Sequence, residues 1–169
     1  MVVKLFSTDQ QQGVNFAIKQ AIFSERQANN TPGGTFTNGA YRTRVLNNED
    51  YNAQNIASIN TSTGEITITQ TGIYKVTAFA NAHAVAEHKL RLQSTSGDSI
   101  QKIGDTKRTT SGVANNSSVT HIFEITQTTV IVLQHRCVST NGTDGLGQEA
   151  NFGDIETYAG LTLEQLSTT

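Results

Sequence analysis

The sequence predicts an all-β protein, an antiparallel jelly-roll sandwich, and three observations support this prediction. Short segments of alternating apolar and polar residues recur along the chain, with turn residues about every ten positions. Thr, Asn, Gln and Ser make up 64 of the 169 residues (25, 14, 13 and 12), and threonine favours strands. No segment places apolar residues at the i, i+3, i+4, i+7 spacing of a long amphipathic helix.

The alternating segments locate the predicted strands. The clearest are residues 65–69 and 73–80, which we expect to form a hairpin because only a short polar turn ending at Gly72 separates them. Residues 28–34 hold the only proline and predict a surface loop, and the polar residues 47–50 are expected to end the second strand. The remaining predicted strands are 14–23, 41–46, 88–93, 121–126, 129–137 and 152–166.

Length and charge limit the organisation and the partners. A chain of this length supports one core, so we expect a single jelly-roll domain at 14–169 after an N-terminal arm at 1–13. The formal net charge of −2 disfavours nucleic acid and a polybasic membrane patch as partners. No apolar run approaches the roughly 20 residues that span a bilayer. The first residues also lack a signal peptide's features, so we expect a protein made and used without Sec export.

No motif of catalysis is present. The chain lacks a phosphate loop, GxGxxG, GxSxG and HExxH, and no carboxylate pair is marked out for glycoside hydrolysis. We therefore expect neither an enzyme nor a cofactor. The single cysteine, Cys137, cannot form an internal disulfide, and its strand position predicts a buried thiol that packs as a small apolar group.

The four histidines are weak candidates for a metal site. His83 and His88 are five residues apart, which places them on opposite faces of a strand. His121 and His135 lie on different predicted strands and could meet across a sheet or at a symmetry axis. We expect exposed or interface histidines at 83 and 88, packed and hydrogen-bonded imidazoles at 121 and 135, and no metal site. The Gly-rich loop at 142–147 is explained either by turn formation or by calcium bound through carboxylate oxygens.

Several basic and polar residues are candidates for ligand or receptor contact. Arg42 and Arg44 share one face of a predicted strand, and Arg91 and Arg136 lie on other strands near histidines. Guanidinium groups bind carboxylates in a bidentate manner, so an anionic glycan is one interpretation and solvated or interface charge is the other. The full candidate set is Arg42, Arg44, Arg91, Arg136, Thr143 and Asp144.

Four blocks in order carry a family resemblance. They are YRTRVLN at 41–47, GIYKVTAFANAHAVAEHKLRLQ at 72–93, LQHRC at 133–137, and GLG at 145–147 with NFGDIETYA at 151–159. Together they resemble the tumour necrosis factor and complement globular-head jelly rolls, and in particular the jelly-roll domains of tailed-bacteriophage virion proteins. The resemblance implies a homotrimer without catalysis. We expect its core or trimer interface to include Tyr74, Val76, His88, Leu90, Leu92, Leu133 and His135.

The arm decides between two virion roles. Phage fibres usually place such a domain after a long shaft, whereas here an arm of about 13 residues precedes it and reaches at most about 45 Å. We therefore expect a trimeric capsid decoration (cement) protein, made in the host cytoplasm and located on the virion. Its partner would be the major capsid protein or another virion protein, contacted through Val2, Val3, Leu5 and Phe6. The alternative is a short tail-fibre or spike knob that binds a host-surface receptor or glycan.

Overall fold

The computed structural model describes residues 19–110 and 112–168, and the described chain is built from antiparallel strands. The predicted arm at 1–13, including Val2, Val3, Leu5 and Phe6, lies outside these residues. The strands are β1 (Lys19–Gln27), β2 (Arg42–Thr43), β3 (Asn48–Tyr51), β4 (Ala57–Asn60), β5 (Glu65–Ile68), β6 (Gly72–His83), β7 (Ala86–Ser96), β8 (Gln101–Thr109), β9 (Ala114–Ile125), β10 (Thr129–Cys137) and β11 (Glu156–Ser167).

Two sheets form the sandwich. The five-stranded sheet has the order β3-β1-β11-β6-β9, and the six-stranded sheet has the order β4-β5-β10-β7-β8, with β2 also paired to β10. Strands adjacent in a sheet are mostly distant in sequence, as in β1 with β11 and β7 with β10. This arrangement confirms the predicted all-β jelly-roll sandwich. Across the described ranges, no helix is long and apolar enough to cross a membrane.

The core lies between the two sheets and follows from strand alternation. Along β6, Tyr74 and Val76 point inward, and they face Leu90 and Leu92 of β7 and Leu133 of β10. The residues predicted for the core or the trimer interface are all buried within one chain: Tyr74, Val76, His88, Leu90, Leu92, Leu133 and His135. A single subunit therefore buries this set without help from a partner.

The structure corrects several predicted strand boundaries. The second strand shortens to β2, and residues 47–50 do not simply break it, because Asn48–Tyr51 forms β3 and pairs with β1. The final strand begins at Glu156 rather than at Phe152. β1 continues to Gln27, beyond the predicted end at residue 23. The prediction omitted β4 and β8, because both are edge strands of the six-stranded sheet and neither has an extended apolar alternation.

The edges of the two sheets meet along β8 and β9. The backbone N–H of Ser118 donates to a carboxylate oxygen of Asp105 at 2.5 Å, and the Ser117 hydroxyl donates to the Asp105 carbonyl at 2.6 Å. Gly104 permits this approach, because a Cβ there would lie 2.2 Å from the Ser118 carbonyl oxygen. These contacts join β8 of one sheet to β9 of the other, so the sandwich is closed on this side.

Candidate interaction site

The outer face of the five-stranded sheet carries an exposed apolar surface. Alternation turns Ile73 and Phe79 of β6 and Ile122 of β9 away from the core, and Ile122 is 57% exposed. Soluble monomers rarely expose clustered large apolar side chains, so this face is a candidate interface. We call the following residues the apolar face: Ile22, Tyr51, Ile73, Phe79, Ile122 and Leu166.

Small and hydroxyl-bearing residues shape the centre of the apolar face. The Phe79 ring lies against Gly160 of the neighbouring strand, where a Cβ would come within 2.7 Å of the ring. A hollow of about 180 Å³ lies beside it, lined by Ile22, Phe79, Gly160 and Thr162 among others. Between this centre and Ile73, Lys75 Nζ and Glu164 Oε2 form an ion pair at 2.9 Å across β6 and β11. The face therefore combines exposed apolar side chains with one ion pair on its inner strands.

Arg44 is not available to a ligand, which corrects its assignment as a contact residue. Its side chain is 2% exposed, and its Nε donates to Glu25 Oε2 at 2.7 Å. The same guanidinium donates to the carbonyls of Leu146 at 3.1 Å and Asn81 at 3.4 Å. Because burial disfavours charge, the pKa of Glu25 is raised and that of Arg44 is lowered, although each partner opposes the other's shift. Arg44 thus ties the two sheets together.

A buried histidine pair lies in the same end of the sandwich. His88 Nδ1 and His135 Nε2 are 2.9 Å apart, so one nitrogen donates to the other, and the Phe36 ring centroid lies 4.5 Å from that of His135. The predicted hydrogen-bonded imidazole is found at His135, but its partner is the buried His88 rather than His121. His83 ends β6 and His88 lies in β7, so these two residues do not share a strand as expected. Burial lowers the pKa of His88 to about 4 and that of His135 further. Both rings are therefore neutral near pH 7.

Asp144 is also engaged within the chain. Its Oδ1 accepts from Asn141 Nδ2 at 2.7 Å, and its Oδ2 lies 3.0 Å from His83 Nδ1. Asn141 in turn donates to the His83 carbonyl at 3.1 Å, so these groups hold the Gly-rich loop against the end of β6. Thr143, on the same loop, is exposed. Within residues 19–110 and 112–168, no group of three or more His, Cys, Asp or Glu side chains is placed to hold a metal ion.

The other arginine candidates remain at the surface, and two of them share one face. Alternation directs Arg91 of β7 and Arg136 of β10 to the outer face of the six-stranded sheet. Arg91 donates to Gln134 Oε1 from Nε at 2.9 Å, and its guanidinium carbon lies 4.1 Å from the centroid of the Tyr41 ring. Arg42 is exposed but lies at a separate hollow lined by Phe36, Arg44 and His135. The predicted contact set therefore does not form a single site.

Tyr41 and Lys89 are the residues that the candidate set omitted. Lys89 lies directly opposite Arg136 in the pairing of β7 with β10, and both line a cavity with Tyr41. The sequence contains the relevant signal, since Lys89 alternates with buried His88 and Leu90 in a predicted strand. Alternation does not predict the register between β7 and β10, and it is this register that places Lys89 beside Arg136.

Comparisons with known proteins identify similar folds but no family of related sequences. No protein-family model and no curated protein matches the chain. The globular domain of zebrafish complement 1qA is similar in structure, with a TM-score of 0.56 and 15% identity over 90% of this chain and 98% of that one. Murine APRIL gives 0.56 and 12% identity over 88% and 99%. Eiger TNF from S. frugiperda gives 0.55 and 12% over 90% and 94%. These likenesses confirm the predicted tumour necrosis factor and complement-head type of jelly roll.

Proposed function

We propose that this protein is a non-catalytic structural or binding module that works as a homotrimer assembled through the apolar face. The observation that carries the proposal is the exposed apolar face on the five-stranded sheet, with Ile122 57% exposed on the edge strand β9. Copies of the same chain are its occupants, because the sequence blocks resemble a family of trimers. The titratable pairs Glu25 with Arg44 and His88 with His135 are bonded to each other, which favours a structural role for them over a catalytic one.

The trimer is tested by introducing a charge on each sheet in turn. Ile122→Glu places a carboxylate on the apolar face, and we expect it to convert trimers to monomers because a charge is costly to bury in an apolar interface. Ile103→Glu is the matched control, since Ile103 is 45% exposed on a strand of the other sheet. Analytical ultracentrifugation reports the outcome. A monomeric wild type, or an Ile122→Glu variant that stays trimeric, would contradict the proposal.

We further propose a location for the trimer: the surface of a virion, as a capsid decoration protein. Support comes from the likeness of the four sequence blocks to phage virion domains and from the apolar cluster in residues 1–6, which is suited to contact a capsid subunit. In this proposal residues 1–13 attach the trimer to the major capsid protein or a neighbouring virion protein. The protein is made in the host cytoplasm and acts on the particle.

Deletion of residues 1–13 tests the attachment. We expect the shortened chain to remain folded and trimeric but to stop binding to capsids, measured by co-sedimentation with particles that lack the protein. A milder variant, Leu5→Ser with Phe6→Ser, removes apolar contacts and keeps the length of the arm. Cryo-electron microscopy of the parent particle gives the decisive image: trimers over the capsid lattice support the proposal, and density confined to the tail contradicts it.

A second candidate function is a short tail-fibre or spike knob that recognises a host-surface glycan. The observation that favours it is the cavity lined by Tyr41, Lys89 and Arg136 on the outer face of the six-stranded sheet, which faces away from the apolar face. The two roles separate experimentally, because a knob loses host adsorption when residues of that cavity are changed, whereas a decoration protein loses capsid binding when the arm is removed.

A further inference from the structure

The outer face of the six-stranded sheet contains a cavity of about 360 Å³. It lies where β7, β8 and β10 run side by side, next to Tyr41 at the start of β2. This volume is within the range of small-molecule sites in proteins. The residues that matter for recognition are Tyr41, Glu87, Lys89, Thr106, Arg136 and Val138. We call this set the basic cavity.

The charge of the basic cavity is unusual because its two cations face each other. Lys89 and Arg136 are direct cross-strand partners, an arrangement that is destabilising for like charges. The ion pairs formed by residues 19–110 and 112–168 include neither of them. A bound anion between the two groups would remove the repulsion and accept charge-assisted hydrogen bonds from both.

The remaining lining indicates what the anion is attached to. Tyr41 offers an aromatic wall, and its ring is held in place by the Arg91 guanidinium at 4.1 Å. Val138, 59% exposed, adds an apolar contact. Thr106 and Glu87 supply hydrogen-bonding groups, and the Glu87 carboxylate, paired with Arg108 at 3.4 Å, also opposes ligands with several negative charges. The combination suits one carboxylate on a hydroxyl-rich ring with an apolar face.

We propose that the basic cavity binds a carboxylated sugar, such as a uronic acid residue of a glycan. Lys89 and Arg136 bind its carboxylate, Glu87 and Thr106 bind its hydroxyl groups, and the sugar ring packs on Tyr41. This inference goes beyond the proposed function, because it assigns a ligand site that does not depend on the trimer or on where the trimer is mounted.

The test compares two sugars that differ only in the carboxylate. Methyl β-D-glucuronide and methyl β-D-glucoside are titrated into the full-length protein while amide chemical shifts are recorded by NMR. We expect the glucuronide to shift the amides of Lys89, Thr106 and Val138 and the glucoside to leave them unchanged. Equal shifts with both sugars, or no shifts with either at millimolar concentration, would overturn the proposal.

Two charge-removing variants give the specificity control. Arg136→Gln removes one carboxylate contact, and we expect the affinity for glucuronide to fall about tenfold. Lys102→Gln removes the same charge from an exposed position outside the cavity and should leave affinity unchanged. Equal affinity of wild type and Arg136→Gln would overturn the assignment. Ultracentrifugation of the same samples reports the oligomeric state separately, so a monomer that binds glucuronide contradicts only the trimer.

Discussion

Replacing Arg44 by methionine should destabilise the protein strongly, because it leaves a charge without its partner inside the sandwich. Methionine keeps much of the side-chain length and volume, so lost packing is a small part of the effect. What remains is the Glu25 carboxylate, itself buried, with its 2.7 Å donor removed. The carbonyls of Leu146 and Asn81 also lose their guanidinium donor.

The expected loss in the free energy of unfolding follows from these lost contacts. Breaking a buried ion pair by removing one partner costs about 3–5 kcal/mol, because the other charge stays buried and uncompensated. An exposed pair of the same geometry would lose at most about 1 kcal/mol. The 2% exposure of the Arg44 side chain places the pair in the first class. Since native domains are stable by about 5–15 kcal/mol, the variant should lose a large part of its stability.

The double variant separates the charge from the packing. Arg44→Met with Glu25→Leu removes both charges, and replacing a buried pair by apolar groups is often neutral. We expect it to recover most of the loss, with the free energies of unfolding measured in urea at one protein concentration, because subunit association makes apparent stability concentration-dependent. A loss below about 1 kcal/mol in the single variant, or no recovery in the double variant, would refute a buried and coupled pair.

Two further predictions concern the buried pair of His88 and His135 and the contact between β8 and β9. Because the pKa of His88 falls from 6.5 in the unfolded chain to about 4 in the fold, its contribution to stability should be complete above pH 6.5 and decrease by about 3 kcal/mol as the pH approaches 4, in addition to a loss from His135 in the same direction. His88→Gln should make that pH profile of unfolding shallower, because only the contribution of His135 remains, and an unchanged profile would contradict the assignment. Gly104→Ala should cost about 1–3 kcal/mol by overpacking against the Ser118 carbonyl, whereas Gly142→Ala, with open space around it, should be neutral in thermal unfolding.

The predictable part of the fold was the part governed by burial on one face. Residues 72–82 alternate between buried and more exposed positions, and this pattern in the sequence predicted the strand and assigned Tyr74 and Val76 to the core or the trimer interface. Edge strands escape this reasoning, because β8 is largely exposed and its residues are under no pressure to alternate. Short β2 and β3 are formed by pairing with β10 and β1, which are distant in sequence.

The sequence predicted the types of residue at the candidate site, but not which of them lie together in the fold. The four arginines look equivalent as residue types, yet Arg44 is buried against Glu25 whereas Arg136 faces solvent. That difference depends on Glu25 reaching Arg44 from the other sheet, 19 positions away in the chain. The pairing of Lys89 with Arg136 likewise depends on the register between β7 and β10, which alternation alone leaves undetermined.

In the two proposals, the five-stranded sheet serves trimer assembly and the six-stranded sheet serves sugar binding. Assembly uses the outer face of the five-stranded sheet, so the six-stranded sheet and its basic cavity point outward from the trimer on every subunit. One cavity makes few contacts with a single sugar, and its affinity is correspondingly modest. Three cavities on one particle can engage one multivalent glycan, and the second and third contacts then form at a high effective concentration. Disrupting the apolar face with Ile122→Glu should therefore leave monosaccharide binding intact while sharply weakening attachment to a surface coated with uronic acid polymer.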